Sequence, residues 1–141
     1  RCIEDMHFML QKEVVDRITA PPGSKTYGRL SVMIQVYCRA AALFTIRPGA
    51  FNPAPKVDSA FLRLIPYRPL PHPVADPAFL SQLVARAFSQ RRKTLRNCLK
   101  GLVSEALIEA QEIDPGCRAE TLRPKTFVRL ANAACKSADE P

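Results

Sequence analysis

The sequence predicts an α/β fold in two parts: the closing strands and helices of an α/β sheet over residues 1–66, and a small all-α helical domain over residues 78–141. Three observations carry this. Up to Ile65, apolar segments of strand type alternate with helical ones. Five prolines then crowd into "PYRPLPHPVADP", residues 66–77, and beyond them the apolar spacing is helical throughout. Proline fixes φ and donates no N–H, so that stretch can continue neither a helix nor a central strand, and residues 67–77 read as a stiff linker between domains.

Each element follows from its local pattern. "HFMLQKEVV" reads as a strand passing into a helix, which the prolines and glycines of "PPGSKTYG" then break. From Arg29 to Arg39 the residues Leu30, Met33, Ile34 and Tyr37 recur at helical spacing, and Val32 and Val36 widen the stripe, so a largely buried helix is expected. "AALFTI" and "SAFLRLI" are short strands separated by the loop "RPGAFNPAPKVD". After the linker, Asp76 as N-cap and Pro77 at the first helical position open a helix with Phe79, Leu80, Leu83, Val84, Ala87 and Phe88 on its apolar side. Further helices are expected at about Arg92–Leu102, at Ser104–Ile113, and from Pro124 to about Ala134.

Composition bounds the function. With 47% hydrophobic residues in 141 the chain can bury a core, and 21 Lys and Arg against 13 acids give a net charge of +8, which attracts polyanions. Nucleic acid is the leading partner class. No apolar run approaches the roughly 20 residues of a membrane span, and the first ten residues carry two acids and no cleavage-site pattern, so neither a membrane partner nor a secretory leader is expected. The five cysteines are scattered, odd in number and never in a C-x-x-C pair, which points to reduced thiols in a cytoplasmic setting. His7 and His72 lie far apart without ligand-like neighbours, so no metal site is expected.

Two stretches stand out. "FSQRRKTLRN", residues 88–97, lies within a span from Arg86 to Lys100 that holds six cations (Arg86, Arg91, Arg92, Lys93, Arg96 and Lys100) and no acid. On a continuous helix Arg92, Arg96 and Lys100 would form one ridge beside the apolar flank of Leu95, Leu99 and Leu102. A solvated helix usually interleaves acids to relieve like-charge repulsion, whereas an uncompensated ridge suits phosphates. The competing reading is an ordinary wet surface, some of its arginines pairing with Glu105 or Glu109. The second stretch is "GAFNPAPKVDS", residues 49–59, where prolines either stiffen a crossing between strands or hold Phe51 at a sheet edge as a ring that can stack on an unstacked base.

The segments "MLQKEV", "GSKTYGRLSVMIQVYC", "PGAFNPAPKVDSA", "FSQRRKTLRN" and "DPGCRAETL" occur in the order and approximate spacing of the KsgA-type small-subunit ribosomal RNA adenine dimethyltransferases, which the chain resembles over nearly its whole length. The resemblance implies a Rossmann-like methyltransferase sheet followed by a helical RNA-binding domain. It also implies S-adenosylmethionine-dependent N6,N6-dimethylation of two adjacent adenosines near the 3′ end of small-subunit rRNA, on the immature small ribosomal subunit, by a monomer. A relative acting on large-subunit rRNA fits "GSKTYGRLSVMIQ" and "RAETL" less well.

Carried over by residue, the resemblance implies that Phe51 packs against the flipped adenine, that Asn52 and Pro53 shape the loop beneath it, and that Lys56 lies near the RNA backbone or holds the loop. Arg91, Arg92 and Lys93 match the family's basic run. Tyr27, Gly28 and Arg29 match the turn into the helix, where Arg29 either orients RNA or is used in packing or a buried ion pair. The family's glycine-rich cofactor loop, its acidic ribose-binding residue and its Asn-Leu-Pro-Tyr motif have no counterpart in these residues, so no cofactor is expected to bind this chain alone, and the chain alone is expected to be inactive. The alternative is a non-catalytic rRNA-binding assembly factor of the small subunit. Two structural expectations accompany these: an unpaired edge on the sheet, and a weaker start to the last helix, by about 1 kcal/mol, because Arg123 stands where the family places a Ser or Thr N-cap.

Overall fold

The structure, a computed structural model, describes residues 4–50 and 57–139. It opens with strand β1, Met6–Gln11, which runs straight into helix α1, Lys12–Thr19. Val15 and Ile18 form the buried side of α1, while Lys12 with Asp16 and Glu13 with Arg17 make i,i+4 ion pairs on its outer face. Pro21 and Pro22 stop the helix, and Ala20 before them is extended as a pre-proline residue prefers. Helix α2, Arg29–Tyr37, follows, then β2, Cys38–Ile46, and β3, Ser59–Pro66.

The strands form one sheet in the order β1-β3-β2, with β3 antiparallel to both neighbours. β1 and β2 therefore run parallel on either side of it, with α1 and α2 as their crossover. Side chains alternate along β3: Ala60, Leu62 and Leu64 are buried with Val15 and Ile18, whereas Phe61 and Arg63 occupy the opposite face beside Met9 and Phe44. Met9 and Phe44 are about half exposed, at 48% and 56%.

Beyond the sheet lie α3 (Pro77–Ala87), α4 (Leu95–Cys98), α5 (Glu105–Ala110) and α6 (Pro124–Asp139). The Asp76 carboxylate caps α3, accepting the N–H of Ala78 at 3.1 Å and of Phe79 at 3.2 Å. A second core joins these helices to the preceding segment: Leu80, Leu83, Leu99 and Phe127 are buried together with Tyr27, Val32 and Val36. Tyr27, Phe88 and Phe127 meet in sequence, the first pair edge-to-face and the second tilted, with ring centroids 6.0 and 5.6 Å apart. The proline-rich connection is tied to α6 by Asn132, whose amide donates to the Pro73 carbonyl at 2.9 Å and accepts the Ala75 N–H at 3.0 Å.

Helix α2 is apolar on more than one side because it lies between the two cores. Val32 and Val36 face the helical core, Met33 and Tyr37 border it, and Ile34 packs on the sheet core. Leu30 is instead 41% exposed, and the buried polar residue is Ser31, whose hydroxyl accepts the Gly28 N–H and donates to the Arg17 carbonyl. The Gln35 amide donates to the carbonyls of Ile18 and Ala20, fixing α2 on the end of α1.

Several boundaries differ from the sequence-based expectation. The helix expected to reach Arg39 ends at Tyr37, where Cys38 turns extended and enters β2. The helix expected over Arg92–Leu102 shrinks to Leu95–Cys98 because the Leu95 and Arg96 N–H groups bond to the carbonyls of Cys117 and Pro115, at 2.7 and 3.0 Å, instead of to the preceding turn. Gly101, at φ +87°, closes the segment. The next helix covers Glu105–Ala110 only, ending near Glu112 at φ +61°, while the last extends past Ala134 to Asp139. At its start the Arg123 carbonyl accepts the N–H groups of Thr126 and Phe127.

Candidate nucleic-acid interface

The six cations from Arg86 to Lys100 do not lie on one helix. Arg91, Arg92 and Lys93 occupy the turn between α3 and α4, Arg96 is on α4, and Lys100 is in the turn after it. Burial of Leu95 and Leu99 presses the segment onto the core and leaves its charged residues outside.

These cations divide by what they touch. The Arg86 guanidinium donates to the Lys100 carbonyl at 2.7 Å, bridging the two ends of the basic segment. Arg91 donates to the Tyr27 carbonyl at 3.0 Å, to the Ser24 carbonyl at 3.4 Å and to the Glu120 carboxylate at 2.9 Å. Arg96 pairs with Glu105 at 3.0 Å. The side chains of Arg92, Lys93 and Lys100 are exposed and have no hydrogen-bond or ion-pair partner among the described residues. Arg29, at the first position of α2, is likewise exposed and unpartnered among them.

Phe51, Asn52, Pro53 and Lys56 lie outside the described residues. The described residues on either side are defined: Ile46 of β2 pairs with Ser59 of β3, the Lys12 N–H bonds to the Asp58 carbonyl at 2.8 Å, and the Phe44 and Phe61 ring centroids lie 4.7 Å apart.

Tyr27, which the sequence marks only as part of the turn into α2, ties the arrangement together. Its hydroxyl donates to the Leu122 carbonyl at 2.6 Å, and burial holds its pKa far above the ordinary tyrosine value. Burial also pushes up the Cys38 and Cys117 thiols, which disfavours the reactive thiolate form. Among the described residues no group of three or more His, Cys, Asp or Glu is placed to hold a metal, and no helix is long and apolar enough to cross a membrane. β1 enters α1 through Gln11 and Lys12 without a glycine, so that junction offers no glycine nest for the anionic part of a cofactor.

A second cationic feature was invisible in the sequence. An open cleft of about 420 Å³ lies where the linker meets β2 and α6, and Arg39, Tyr67, His72, Arg123 and Lys125 contribute to its walls. No acid lines it. These residues come from distant parts of the chain, so no local run announces them.

The profile of the family described as "Ribosomal RNA adenine dimethylase" matches residues 1–136. The Ribosomal RNA small subunit methyltransferase A of Pseudomonas aeruginosa is 60% identical over 130 residues, covering 92% of this chain and 48% of that protein. The protein of the same name from Acidithiobacillus ferrooxidans is 60% identical over 131 residues, covering 93% and 49%. The chain thus spans about half the length of these curated relatives. Among solved structures, a dimethyladenosine transferase from Plasmodium falciparum superposes with a TM-score of 0.84 at 22% identity, over 96% of this chain and 58% of that one. The 23S rRNA methyltransferase ErmE gives 0.67 at 23%, over 94% and 55%. These two likenesses show a shared α/β fold, and the profile match across nearly all of the sequence shows that the chain belongs to the ribosomal RNA adenine dimethylase family.

Proposed function

We propose that this chain is the RNA-docking half of an S-adenosylmethionine-dependent enzyme that dimethylates N6 of two adjacent adenosines near the 3′ end of small-subunit rRNA. In this reading the whole protein acts as a cytoplasmic monomer on the immature small ribosomal subunit. Residues 1–66 close the catalytic sheet, residues 67–77 join the domains, and residues 78–141 grip RNA. Methyl transfer is assigned to the whole protein, because the glycine-rich and Asn-Leu-Pro-Tyr motifs are absent from these residues. The bare sheet face carrying Met9, Phe44 and Phe61 is the surface on which the rest of that protein packs, since exposed apolar patches commonly mark interfaces.

The observation that carries the RNA assignment is the division of labour in the basic segment. Arg86, Arg91 and Arg96 spend hydrogen bonds on the fold, while Arg92, Lys93 and Lys100 project without partners among the described residues. A rigid frame carrying free cations is suited to phosphates: ordering costs are met in folding and counterion release adds affinity. Arg29 and Lys56 are proposed as further backbone contacts. Phe51 is proposed to stack on the target adenine over a loop shaped by Asn52 and Pro53.

The test is binding of the small-subunit 3′ hairpin across a salt series, comparing the wild type with a folded Arg92→Ala, Lys93→Ala, Lys100→Ala variant. Affinity should fall, and the slope of log affinity against log salt should become shallower by about 2 to 3, the share of three phosphate contacts. An unchanged slope would assign these cations to idle surface.

A further inference from the structure

The cleft between the linker, β2 and α6 is separate in sequence from the basic segment. Arg39 stands in β2, His72 in the linker, and Arg123 and Lys125 flank the first residue of α6. The side chains of these four residues have no hydrogen-bond or ion-pair partner among the described residues. Five cations elsewhere are answered by acids, Arg63 by Asp5, Lys12 by Asp16, Arg17 by Glu13, Arg96 by Glu105 and Arg91 by Glu120, whereas the cleft, like the exposed Arg92, Lys93 and Lys100 of the basic segment, has no such answer among the described residues. A concave surface that gathers cations and no acid leaves mutual repulsion for an anion to relieve.

The walls are held in place before any ligand arrives. The Tyr67 N–H bonds to the Tyr37 carbonyl at 2.9 Å, setting the linker's first residue against the end of α2. Asn132 holds the other end of the linker on α6, and Val128, which lines the cleft, is itself buried in the helical core. A volume of about 420 Å³ falls within the small-ligand range of roughly 300–1,000 Å³ and is far too small for a double helix. Tyr67 adds an aromatic surface of the kind on which an unpaired base stacks.

We propose that this cleft is a second phosphate-binding site, which takes one unpaired nucleotide of an RNA strand, with Arg39, Arg123 and Lys125 holding its flanking phosphates and Tyr67 its base. The proposal rests on the reading of the protein as an RNA-docking chain and adds a contact for the single strand beside the hairpin.

The test compares two variants of the full chain, each checked for folding by circular dichroism and thermal denaturation: Arg39→Ala, Arg123→Ala, Lys125→Ala in the cleft, and Arg92→Ala, Lys93→Ala, Lys100→Ala in the turn. Each is titrated with the 3′ hairpin bearing a single-stranded extension and with the bare hairpin. The wild type should bind the extended hairpin more tightly; the cleft variant should lose that increment, with a salt slope shallower by about 2, and bind the bare hairpin normally. If the cleft variant keeps the whole increment while the turn variant loses hairpin binding, the cleft proposal fails and the docking reading stands. If the cleft variant loses the increment while the turn variant binds normally, the cleft proposal stands and the turn assignment fails. If both bind like the wild type, both fail.

Adenosine monophosphate and inorganic phosphate separate the two sources of a phosphate group. Competition by either at concentrations comparable to those of the RNA would make the cleft a small-molecule site and overturn the strand assignment. Should the triple variant not fold, Lys125→Gln alone and cross-linking from a thiouridine in the extension decide. Cross-links at Tyr67 or His72 that weaken in Lys125→Gln support the site, and cross-links confined to residues outside the cleft refute it.

Discussion

Arg91 donates to the Glu120 carboxylate at 2.9 Å while the same guanidinium holds the Tyr27 carbonyl at 3.0 Å. The Gly23 N–H adds a bond to the Glu120 carbonyl at 2.7 Å, so the turn before α2 and the turn before α6 are fastened to each other and to the basic segment. The ion pair itself is partly exposed and contributes little. The bond to the Tyr27 carbonyl matters more, because removing Arg91 takes away that carbonyl's side-chain donor, whereas the Ser24 carbonyl keeps the Tyr27 N–H at 3.2 Å. Arg91→Ala should therefore cost about 1–2 kcal/mol of stability, and Glu120→Gln less than about 1 kcal/mol. Urea denaturation of the two variants checks the order; equal losses would place the whole effect in the ion pair.

Tyr27 gives the fold an alkaline limit. Its ordinary pKa of 10.0 is raised by burial in the folded state, so above about pH 10 the unfolded chain releases a proton that the folded chain retains. The contribution is fully present below pH 10 and declines as pH climbs toward the raised folded-state value, by at most about 1.4 kcal/mol per pH unit. Tyr27→Phe should lose about 1 kcal/mol at neutral pH, with the Leu122 carbonyl bond, and should show less of the alkaline decline. Urea midpoints from pH 8 to 11 measure both.

Asn132 satisfies two backbone groups of the linker, at Pro73 and Ala75. Asn132→Ala should lower stability by about 1–2 kcal/mol and speed hydrogen exchange at the Ala75 amide, while Asn132→Asp, which keeps the acceptor, should leave that amide protected. Unchanged exchange in the alanine variant would show that the linker is held by its prolines alone.

The stacking role proposed for Phe51 separates chemistry from docking. In the full-length protein Phe51→Ala should reduce methyl transfer at least tenfold while changing hairpin affinity less than about twofold, because stacking positions the reacting base whereas phosphate contacts dominate binding. Equal losses in single-turnover methylation and in affinity would remove the distinction.

What was legible in the sequence was local. The opening strand and helix, the Asp76 cap, the proline stop before α2 and the apolar side of α3 each depend on neighbours within a few positions. α4 was misjudged because Leu95 and Arg96 give their N–H groups to carbonyls some twenty residues downstream, which no helical period encodes. Leu30 was misjudged for a related reason: α2 meets two cores, and its most deeply buried line runs through Ser31, Val32 and Val36. The sequence marked the basic segment as a unit without showing that Arg86, Arg91 and Arg96 also make hydrogen bonds to other parts of the fold. The cleft had no local signal because its cations converge only after folding.

The position of α2 between the two cores has a mechanical consequence. The strand β2 leaves the end of this helix and leads directly to Ile46, which pairs with Ser59 of β3, while Val32 and Val36 are locked among the residues that carry the basic turn. Any tilt of the helical bundle must drag the end of β2 with it or break open a buried seam. The protein is therefore built like a caliper with a welded joint: the spacing between the Ile46–Ser59 stem and the turn that carries Arg91, Arg92 and Lys93 is set during folding.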